Sequence, residues 1–564
     1  PRHSPLPRPD DSDDSSEEDA DPESRMAARL WWQWDRRAHL ALQQGAGGGL
    51  RHALRHLLWA CAQGGLLLLL TEVSAWGGTG ERRCSLLLRN AFLLHYVLEF
   101  LGCTGMYSGF SPPFPYARYR FAPGTLKEPL LGCLGDRRTL LDVSVSAANV
   151  AVPLWLMTVP EESGAMCAFA GCVFALLITD CSAYIGAMGC FYGPISAILA
   201  FRALLGDAGH IAALQVLLLA VYVGCGVAKM GPGFALVTAL EWTHPPLFAG
   251  RERWQRLFFR DPGSQDWRPS RLAAGVARGA AVAEWASPLL FFCSPPVLAA
   301  AGLGWLGAWP VNAALLAICC MHGYIVLHLG SDVNVMNAVT LLWCVSVFRV
   351  SSVGFDYEGL ARMPPALQGF LSLALLYVAA GHMWPDRICS QASYRFWAGN
   401  WPQAFYLFSE AGLAKLGAAP ARVQLPSPAR AWGACAYLWA SQLPVRALPW
   451  LLWEVGRTRP QLKALLPAYT VTNYCLGSAS NCSLRALALN PRLQRACGFE
   501  EGEALCVFCG ALRPGGGPMR WEVADLRAGV VAAGSLPREA LLALARPSDC
   551  QGLSGRFPLA PGKQ

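Results

Sequence analysis

The sequence predicts a mainly α-helical protein, a polytopic helical membrane bundle with a small C-terminal α+β soluble domain. Hydrophobic residues make up 54% of the 564 residues, and charged residues only 15%. A soluble domain carries about 25% charged residues, so this deficit indicates burial in a membrane. Apolar runs close to the length of a membrane span, about 20 residues, recur as far as residue 385. Beyond that point charged residues increase and prolines interrupt shorter apolar runs, which predicts a separate soluble domain.

Two segments precede the first apolar run. Residues 1–25 include an acidic, serine-containing stretch with almost nothing to bury, which predicts a disordered tail. Residues 26–53 combine Trp31, Trp32 and Trp34 with neighbouring arginines, a composition typical of a segment at the membrane interface. The chain is therefore expected to reach the bilayer surface before the first span.

Residues 54–385 contain the apolar runs and form the predicted transmembrane domain, with about eight to nine spans. The shortest run, 333–350, is also consistent with a half-buried or re-entrant segment. Arg51 and Arg55 before the first span indicate a cytoplasmic N-terminus. An even number of spans then places the C-terminal domain in the cytoplasm as well, and the absence of a disulfide pattern among its cysteines favours this reducing compartment. The runs lie at 54–74, 86–107, 140–159, 164–189, 210–230, 272–300, 309–329, 333–350 and 366–384.

Residues 386–564 form the predicted α+β domain. Strand-like runs at 504–512 and 519–524 are separated by the turn sequence Pro514–Gly517. The apolar runs of this region are too short, and too often interrupted by proline and charge, to be further spans. Helical patterns lie near 402–416, 428–441, 482–495 and 537–546.

Polar and ionisable side chains inside the apolar runs are the candidate functional residues, because such groups are costly in a membrane and often mark a functional site. The commoner explanation for any one of them is a structural hydrogen bond or ion pair between packed helices. His95 and Glu99 lie one helical turn apart, so we expect them to share a hydrogen bond inside the bundle. The full set is His95, Glu99, Asp180, Lys229, Glu284, His322, His328, Asn334 and Asn337.

Lys229 lies at the end of the run 210–230, on one helical face with Tyr222 and Gly226. Gly231-Pro232-Gly233 then ends the helix. The amine has two possible fates. It extends to the lipid headgroups without a special role, or it turns into a helix-lined cavity and acts as a base. The sequence leaves both open.

No metal site or nucleic-acid partner is predicted, and no cofactor is identified. His322 and His328 are six residues apart and face different sides of a helix, and the pair Cys506 and Cys509 has no second cysteine pair at zinc spacing. The net charge of +8 is scattered through short loops between apolar runs, where positive charge indicates topology. The expected partners are the lipid bilayer and a lipid-like small molecule.

The motif Tyr394-x-x-x-Ala-Gly-Asn-Trp401, just after the last apolar run, is the most specific local pattern in the chain. Together with Tyr222–Lys229, the helix pair His322–Asn337 and the tail 482–531, it resembles a family of multi-pass membrane proteins of unknown function. That family is known from mycobacteria, algae and other protists. The resemblance covers residues 50–545 and implies a membrane protein without an assigned activity.

A more distant resemblance is to the horizontally transferred transmembrane domain, the membrane part of vitamin K-dependent gamma-carboxylase. Tyr222, Gly226 and Lys229 fit its Tyr-x-x-x-Gly-x-x-Lys-Leu pattern, with Met230 in place of leucine, and His322 fits a later histidine-containing helix. This resemblance implies that Lys229 is the base that deprotonates a reduced quinone. The C-terminal domain does not resemble the large luminal region of the carboxylase, so glutamate carboxylation is not implied.

Two functions follow from these observations. The first is a non-enzymatic membrane protein that binds or handles a lipid-like ligand. The alternative is a membrane-embedded enzyme acting on a quinone-like or lipid-like substrate, with Lys229 as general base and with His322 and Tyr222 beside it. Convergence of Lys229, His322 and a carboxylate on one lipid-accessible cavity favours the enzyme, whereas separate packed contacts favour the first function.

Overall fold

The structure of the protein is a computed structural model, which describes most of residues 80–544 together with Gly65 and Leu69. The predicted tail 1–25, the interfacial segment 26–53 and the helix 428–441 lie outside the described residues, as does nearly all of the run 54–74. So do the side chains of Glu99, His328 and Asn334. The larger internal gaps are 102–119, 160–162, 182–191, 244–251, 262–265, 329–330, 389–397, 419–441 and 472–482, with single residues or pairs between 386 and 515.

In the described part of the chain up to residue 383, the regular secondary structure is helical apart from one short β-hairpin and an isolated bridge between Leu126 and Arg137, which confirms the mainly helical prediction. The hairpin consists of β1 (Phe259–Asp261) and β2 (Asp266–Pro269). The described helices are α1 (Gly80–Phe100), α2 (Leu140–Leu156), α3 (Ser163–Thr179), α4 (Gly193–Leu205), α5 (His210–Lys229), α6 (Gly233–Thr243), α7 (Glu252–Phe258), α8 (Arg271–Ala286), α9 (Pro295–Ala300), α10 (Trp309–His328), α11 (Ser331–Val345), α12 (Tyr357–Ala361) and α13 (Pro365–Met383).

Only two of the described helices, α5 and α13, are both long enough and apolar enough to cross a membrane. The predicted eight to nine spans are therefore too many for the helices that the structure describes. Most of the other predicted runs contain shorter apolar helical segments of 10–17 residues. The two qualifying helices differ in their surroundings. The candidate span of α5 is 61% buried inside the protein, whereas that of α13 is only 17% buried against the described residues.

Prolines explain why the predicted run 272–300 is not one helix. α8 ends at Ala286, a 3-10 helix follows over Ser287–Phe292, and α9 begins at Pro295. Pro288 at the start of the 3-10 helix and Pro295 at the start of α9 lack the backbone N–H that a continuing α-helix uses. A hydrophobic run of span length therefore folds as separate short helices.

Two buried ion pairs hold the loop between α1 and α2. Lys127 Nζ donates to both carboxylate oxygens of Asp142, at 2.7 and 2.8 Å, and Arg138 Nη2 donates to Asp180 Oδ2 at 2.5 Å. Asp142 also forms a capping box with Thr139 at the start of α2. Asp180, one of the candidate residues, is therefore the partner that anchors this loop to the end of α3.

A five-stranded antiparallel sheet forms the core of the C-terminal region, with strand order β4-β3-β5-β6-β7. Side chains of β3 alternate between two hydrophobic clusters. Phe405 and Leu407 belong to one, and Tyr406 and Phe408 to the other, so both faces of the sheet are covered. The elements are β3 (Gln403–Phe408), α14 (Glu410–Ala418), β4 (Ala464–Pro467), α15 (Ser483–Cys497), β5 (Ala504–Cys509), β6 (Met519–Asp525), β7 (Gly529–Leu536) and α16 (Arg538–Ala543).

The sheet confirms the predicted strands at 504–512 and 519–524, which correspond to β5 and β6. The predicted helix at 402–416 is wrong in its first half, where the chain forms β3 before α14. All six residues of β3 are buried, so the alternation of polar and apolar residues that identifies a half-exposed strand is absent from them. β4 and β7 were not predicted.

The C-terminal region contacts the helical part at the loop before α2. Arg492 on α15 donates to Asp136 at 3.0 Å and lies 3.7 Å from Glu128, and Arg495 also pairs with Asp136. Leu126 of the same loop packs into a hydrophobic cluster of the C-terminal region. Charge and apolar contacts therefore act together at this junction.

A second contact joins the backbones of Gly233, at the start of α6, and Gly399. A Cβ atom on either glycine would meet the carbonyl oxygen of the other. Gly399 adopts φ +66°, a left-handed conformation that favours glycine, and its carbonyl accepts the N–H of Leu443 at 2.7 Å. The next residue, Asn400, bonds the backbone of Leu512 through both its amide nitrogen and its amide oxygen. The end of the motif, at Gly399 and Asn400, thus contacts both the start of α6 and the C-terminal region.

We expect Asp136→Asn to weaken the loop contact in a pH-dependent way. Burial opposes ionisation, but hydrogen bonds from Arg495 and Arg492 hold the pKa of Asp136 below its ordinary value. A lowered folded-state pKa means that the stabilisation is fully present above the unfolded-state pKa, about 3.9, and is lost as the pH falls through the folded-state pKa. At neutral pH the wild type should therefore have the higher thermal midpoint, and its free energy of unfolding should exceed that of the variant by up to about 1 kcal/mol. In acid the thermal midpoints of the two proteins should converge.

The matched control for this measurement is Glu358→Gln. Glu358 pairs with Arg362 one turn away on the surface, and both side chains are exposed. This change should leave the thermal midpoint nearly unaltered, because exposed pairs within one helix contribute little. A difference between wild type and Asp136→Asn that stays constant from neutral pH to acid would contradict the proposed ionic contact.

Candidate functional site

α5 places Tyr222 on the same face as Lys229, as their spacing predicts, and a hydrogen-bond network begins at its hydroxyl. Tyr222 Oη lies 2.8 Å from His322 Nε2 on α10, and His322 Nδ1 lies 2.7 Å from Asn337 Oδ1 on α11. An amide oxygen only accepts, so Nδ1 carries the proton and Nε2 accepts from the Tyr222 hydroxyl. All three side chains are buried. This Tyr222–His322–Asn337 network ties three helices together with a fixed direction of proton donation.

Cys344 on α11 extends the network, because its thiol also contacts the Tyr222 hydroxyl. The residue is fully buried in the main hydrophobic core. Sequence analysis did not single it out, since a cysteine inside an apolar run is usually a small hydrophobic side chain. Its position seven residues after Asn337, two helical turns along the same face of α11, was the available signal.

Lys229 forms an ion pair with Glu284 of α8, with Nζ 2.5 Å from Oε2. The two side chains are 12% and 8% exposed, so the pair is mostly but not completely buried. The ammonium also lies 5.3 Å from the centre of the Phe234 ring, a cation–π distance. Glu241 on α6 is near enough to interact electrostatically with both members of the pair. Lys229 is therefore an ion-paired ammonium that points into the protein.

Gly226 explains how α5 and α8 approach closely enough for this pair. A Cβ atom at Gly226 would stand 2.6 Å from the backbone nitrogen of Trp285 and 3.0 Å from the carbonyl oxygen of Ala281. Only a glycine permits this crossing, which brings Glu284 next to Lys229 one turn along α5. Gly226 and Lys229 of the sequence motif thus both contribute to the contact between α5 and α8.

The ion pair and the network are neighbours that make separate contacts. Lys229 and His322 interact electrostatically, which shows that they share one region of the bundle. Among the described hydrogen bonds, however, none connects the Lys229–Glu284 pair to the Tyr222–His322–Asn337 network.

His95 occupies a different region, in the centre of α1. Its ring is edge-on to Tyr192 at a centroid distance of 5.3 Å. Neither ring nitrogen has a hydrogen-bond partner among the residues that the structure describes. The side chain of Glu99 lies outside those residues, so the hydrogen bond between His95 and Glu99 stays a prediction. His328 and Asn334 are likewise not placed.

Two neutral polar residues with structural roles were missed by the sequence analysis. Gln215 donates to the carbonyl oxygens of Val347 and Gly354, at 2.7 and 2.9 Å, and holds the π-helix Ser346–Val350 against α5. Asn149 accepts from the Tyr96 hydroxyl at 2.5 Å. Both lie in the middle of apolar runs, which was the signal that a search centred on ionisable residues overlooked. In the described part of the chain, no three His, Cys, Asp or Glu residues are grouped so as to hold a metal ion.

Comparison with known protein families identifies the class of this chain. A family model described as transmembrane protein of unknown function (DUF3556) matches residues 86–425. The chain belongs to this family. The match includes both candidate spans, the Lys229–Glu284 pair and the Tyr222–His322–Asn337 network, and it confirms the prediction of a transmembrane protein from a family without an assigned function. Searches of curated proteins and of solved structures each found no similar protein.

Proposed function

We propose that this DUF3556 protein is an integral membrane protein that binds a lipid-like molecule, with the polar end of the ligand at the Lys229–Glu284 pair. The observation that carries the proposal is the surface at the end of α5. Val227 and Met230, two residues before and one residue after Lys229 in the chain, are 50% and 51% exposed, and the ion pair itself is not fully buried. A molecule with an apolar chain and a polar end matches both features, because its chain covers the two apolar side chains while its head reaches the charges.

The Tyr222–His322–Asn337 network supports this site by fixing the helices around it. Hydrogen bonds between buried side chains hold α5, α10 and α11 in one register. The close crossing at Gly226 fixes α8 in the same way. The ligand therefore meets a preorganised surface, which lowers the entropic cost of binding.

The second candidate function is an enzyme acting on a quinone-like or lipid-like substrate. Its support is the order Asn337–His322–Tyr222, in which an oriented imidazole accepts the proton of a hydroxyl, the arrangement of a general base with its positioning group. The resemblance to the carboxylase pattern instead assigns the base to Lys229. An ammonium paired with Glu284 has no free lone pair, so Lys229 becomes a base only after its proton moves to that carboxylate.

We also propose that residues 386–564 form a soluble domain on the cytoplasmic side of a membrane domain at 54–385. Cys506 and Cys509 are buried in β5, and burial raises the pKa of both thiols to about 12. Both therefore remain protonated at neutral pH and are free. Free thiols suit a reducing compartment.

The binding proposal is tested by mass spectrometry of lipids and quinones that co-purify with the protein. The double variant Lys229→Met/Glu284→Leu keeps an apolar surface and removes both charges. We expect it to lose the bound species about tenfold, since a hydrogen bond to a charged group contributes roughly 1.5–3 kcal/mol. The control is Arg202→Met/Asp207→Leu, which removes an exposed pair near the end of α4 and should retain the ligand.

A further variant, Lys229→Arg, separates the two candidate functions. Arginine keeps the positive charge beside Glu284 but does not give up its proton. Under the binding proposal this variant keeps the co-purifying lipid. Loss of a substrate-to-product conversion in Lys229→Arg, with lipid still bound, would instead support the enzyme with Lys229 as base. A wild-type protein that carries no enriched lipid or quinone would end the binding proposal.

A further inference from the structure

The turn between α9 and α10 exposes two tryptophans. Trp305, in the 3-10 turn Gly304–Leu306, is 80% exposed, and Trp309, the first residue of α10, is 68% exposed. Tryptophan is highly buried on average in folded proteins, as Trp343 and Trp401 are here. Two exposed indoles four residues apart therefore indicate a surface that contacts something other than water.

The backbone of this turn is fixed by hydrogen bonds of its own. α9 ends in a Schellman motif, in which Gly302 has φ +75° and the N–H groups of Gly302 and Leu303 donate to carbonyl oxygens of α9 at 3.1 and 2.7 Å. The N–H of Gly307 then donates to the carbonyl oxygen of Gly304 at 3.0 Å. Backbone groups that are paired in this way do not depend on water, so the turn is suited to a layer that is poor in water.

The chain on both sides of the turn is uncharged. Residues 285–331 contain no Asp, Glu, Lys or Arg. α10 buries one face, including Val311 and Ile318, in the main hydrophobic core, whereas Leu316 and Cys320 on its opposite face are exposed. A helix face that meets water normally carries charged and polar residues, so an exposed face without charge indicates contact with lipid.

We propose that Trp305 and Trp309 anchor this turn in the interfacial layer of a lipid bilayer, with the exposed face of α10 directed toward the acyl chains. An indole suits this layer because its ring is apolar while its N–H donates to headgroups or water. Trp309 begins an apolar helical segment that extends to Ile325. The ends of such segments lie at headgroup level, where tryptophan is enriched.

This anchor goes beyond the proposed ligand site, which takes one molecule at the ion pair of Lys229 and Glu284. The competing occupant of the anchor surface is a protein, either a second copy of this chain or another partner. Protein interfaces surround an apolar centre with a polar rim, whereas the chain on either side of the two tryptophans is uncharged over residues 285–331. Membership of a transmembrane family also supplies the bilayer that the anchor requires.

The test places a photoreactive, benzophenone-bearing phenylalanine at position 305 of the full-length protein in phosphatidylcholine vesicles. Illumination then links this side chain to whatever it touches, and mass spectrometry identifies the product. We expect a phosphatidylcholine adduct at position 305. The control is the same replacement of Val530, an exposed apolar residue of β7 in the C-terminal region, which should give no lipid adduct above background. Products at position 305 that contain only protein, or equal lipid labelling at both positions, would overturn the anchor.

Fluorescence provides a second measurement with natural side chains. The difference in emission between wild type and Trp305→Phe isolates Trp305, and the fold should survive this change because the side chain is mostly exposed. A nitroxide at the headgroup end of an acyl chain should quench the difference emission more than one at the middle of the chain. Absence of quenching by either lipid, or stronger quenching by the deeper nitroxide, would contradict an interfacial position. Neither result alters the lipid retention assigned to Lys229 and Glu284, so the anchor and the proposed function fail separately.

Discussion

Lys229→Met should destabilise the protein by about 3–5 kcal/mol, because it leaves Glu284 as an unpaired and largely buried carboxylate. Glu284→Leu should destabilise it by less than Lys229→Met. In that variant the ammonium still has Glu241 nearby, whereas Lys229→Met leaves two carboxylates without a cation. The double variant Lys229→Met/Glu284→Leu should recover most of the loss, since well-packed apolar residues in place of a buried pair are often neutral or stabilising by about 1–4 kcal/mol.

The thermal midpoints of the four proteins in one detergent form a double-mutant cycle that isolates the coupling between the two charges. The exposed pair of Arg202 and Asp207 provides the reference cycle, with an expected coupling of at most about 1 kcal/mol. Equal destabilisation by each single change and by the double change, with no recovery, would show that the two side chains act through packing and not as a pair.

The sequence predicted that Tyr222 and Lys229 share one face of α5, but it did not predict which side chains they contact. Helical spacing alone puts Tyr222 and Lys229 on one face, and the structure has them so. Their partners depend on which helices pack together, and Glu284 is 55 residues away from Lys229. The crossing at Gly226 selects α8, and a single sequence contains no information on that choice. Candidate residues were therefore recognisable, whereas the division into an ion pair and a hydrogen-bond network was not.

The errors in the predicted fold have two physical causes. Hydropathy counts apolar residues without regard to backbone donors, so it merged the segments on either side of Pro288 and Pro295 into one span. Strand prediction relies on alternation, which is lost when both faces of a strand are buried, as they are in β3. By contrast, β5 and β6 were recognisable because the glycine-rich turn between them set their limits.

Gly399→Ala should cost about 2–5 kcal/mol, through two additive effects. Gly399 has φ +66°, and an alanine in that conformation costs roughly 1–2 kcal/mol. Its new Cβ would also meet the carbonyl oxygen of Gly233, a backbone atom that has no side-chain rotation to relieve the clash. Overpacking of this kind adds about 1–3 kcal/mol. Because Gly233 begins the helix that follows Lys229, the clash would push the C-terminal region away from the end of α5.

Two further alanine variants separate these effects. Gly124 has φ +83° with no atom within 4 Å of a Cβ placed there, so Gly124→Ala should show the conformational cost alone. Gly233→Ala introduces the reciprocal clash, with the carbonyl of Gly399, and is not strained by a left-handed φ. We therefore expect Gly399→Ala to lower the thermal midpoint more than either of the other two. Equal midpoints for Gly399→Ala and Gly124→Ala would mean that the two backbones are not in contact, and that the C-terminal region is held mainly by Asp136 and its arginine partners.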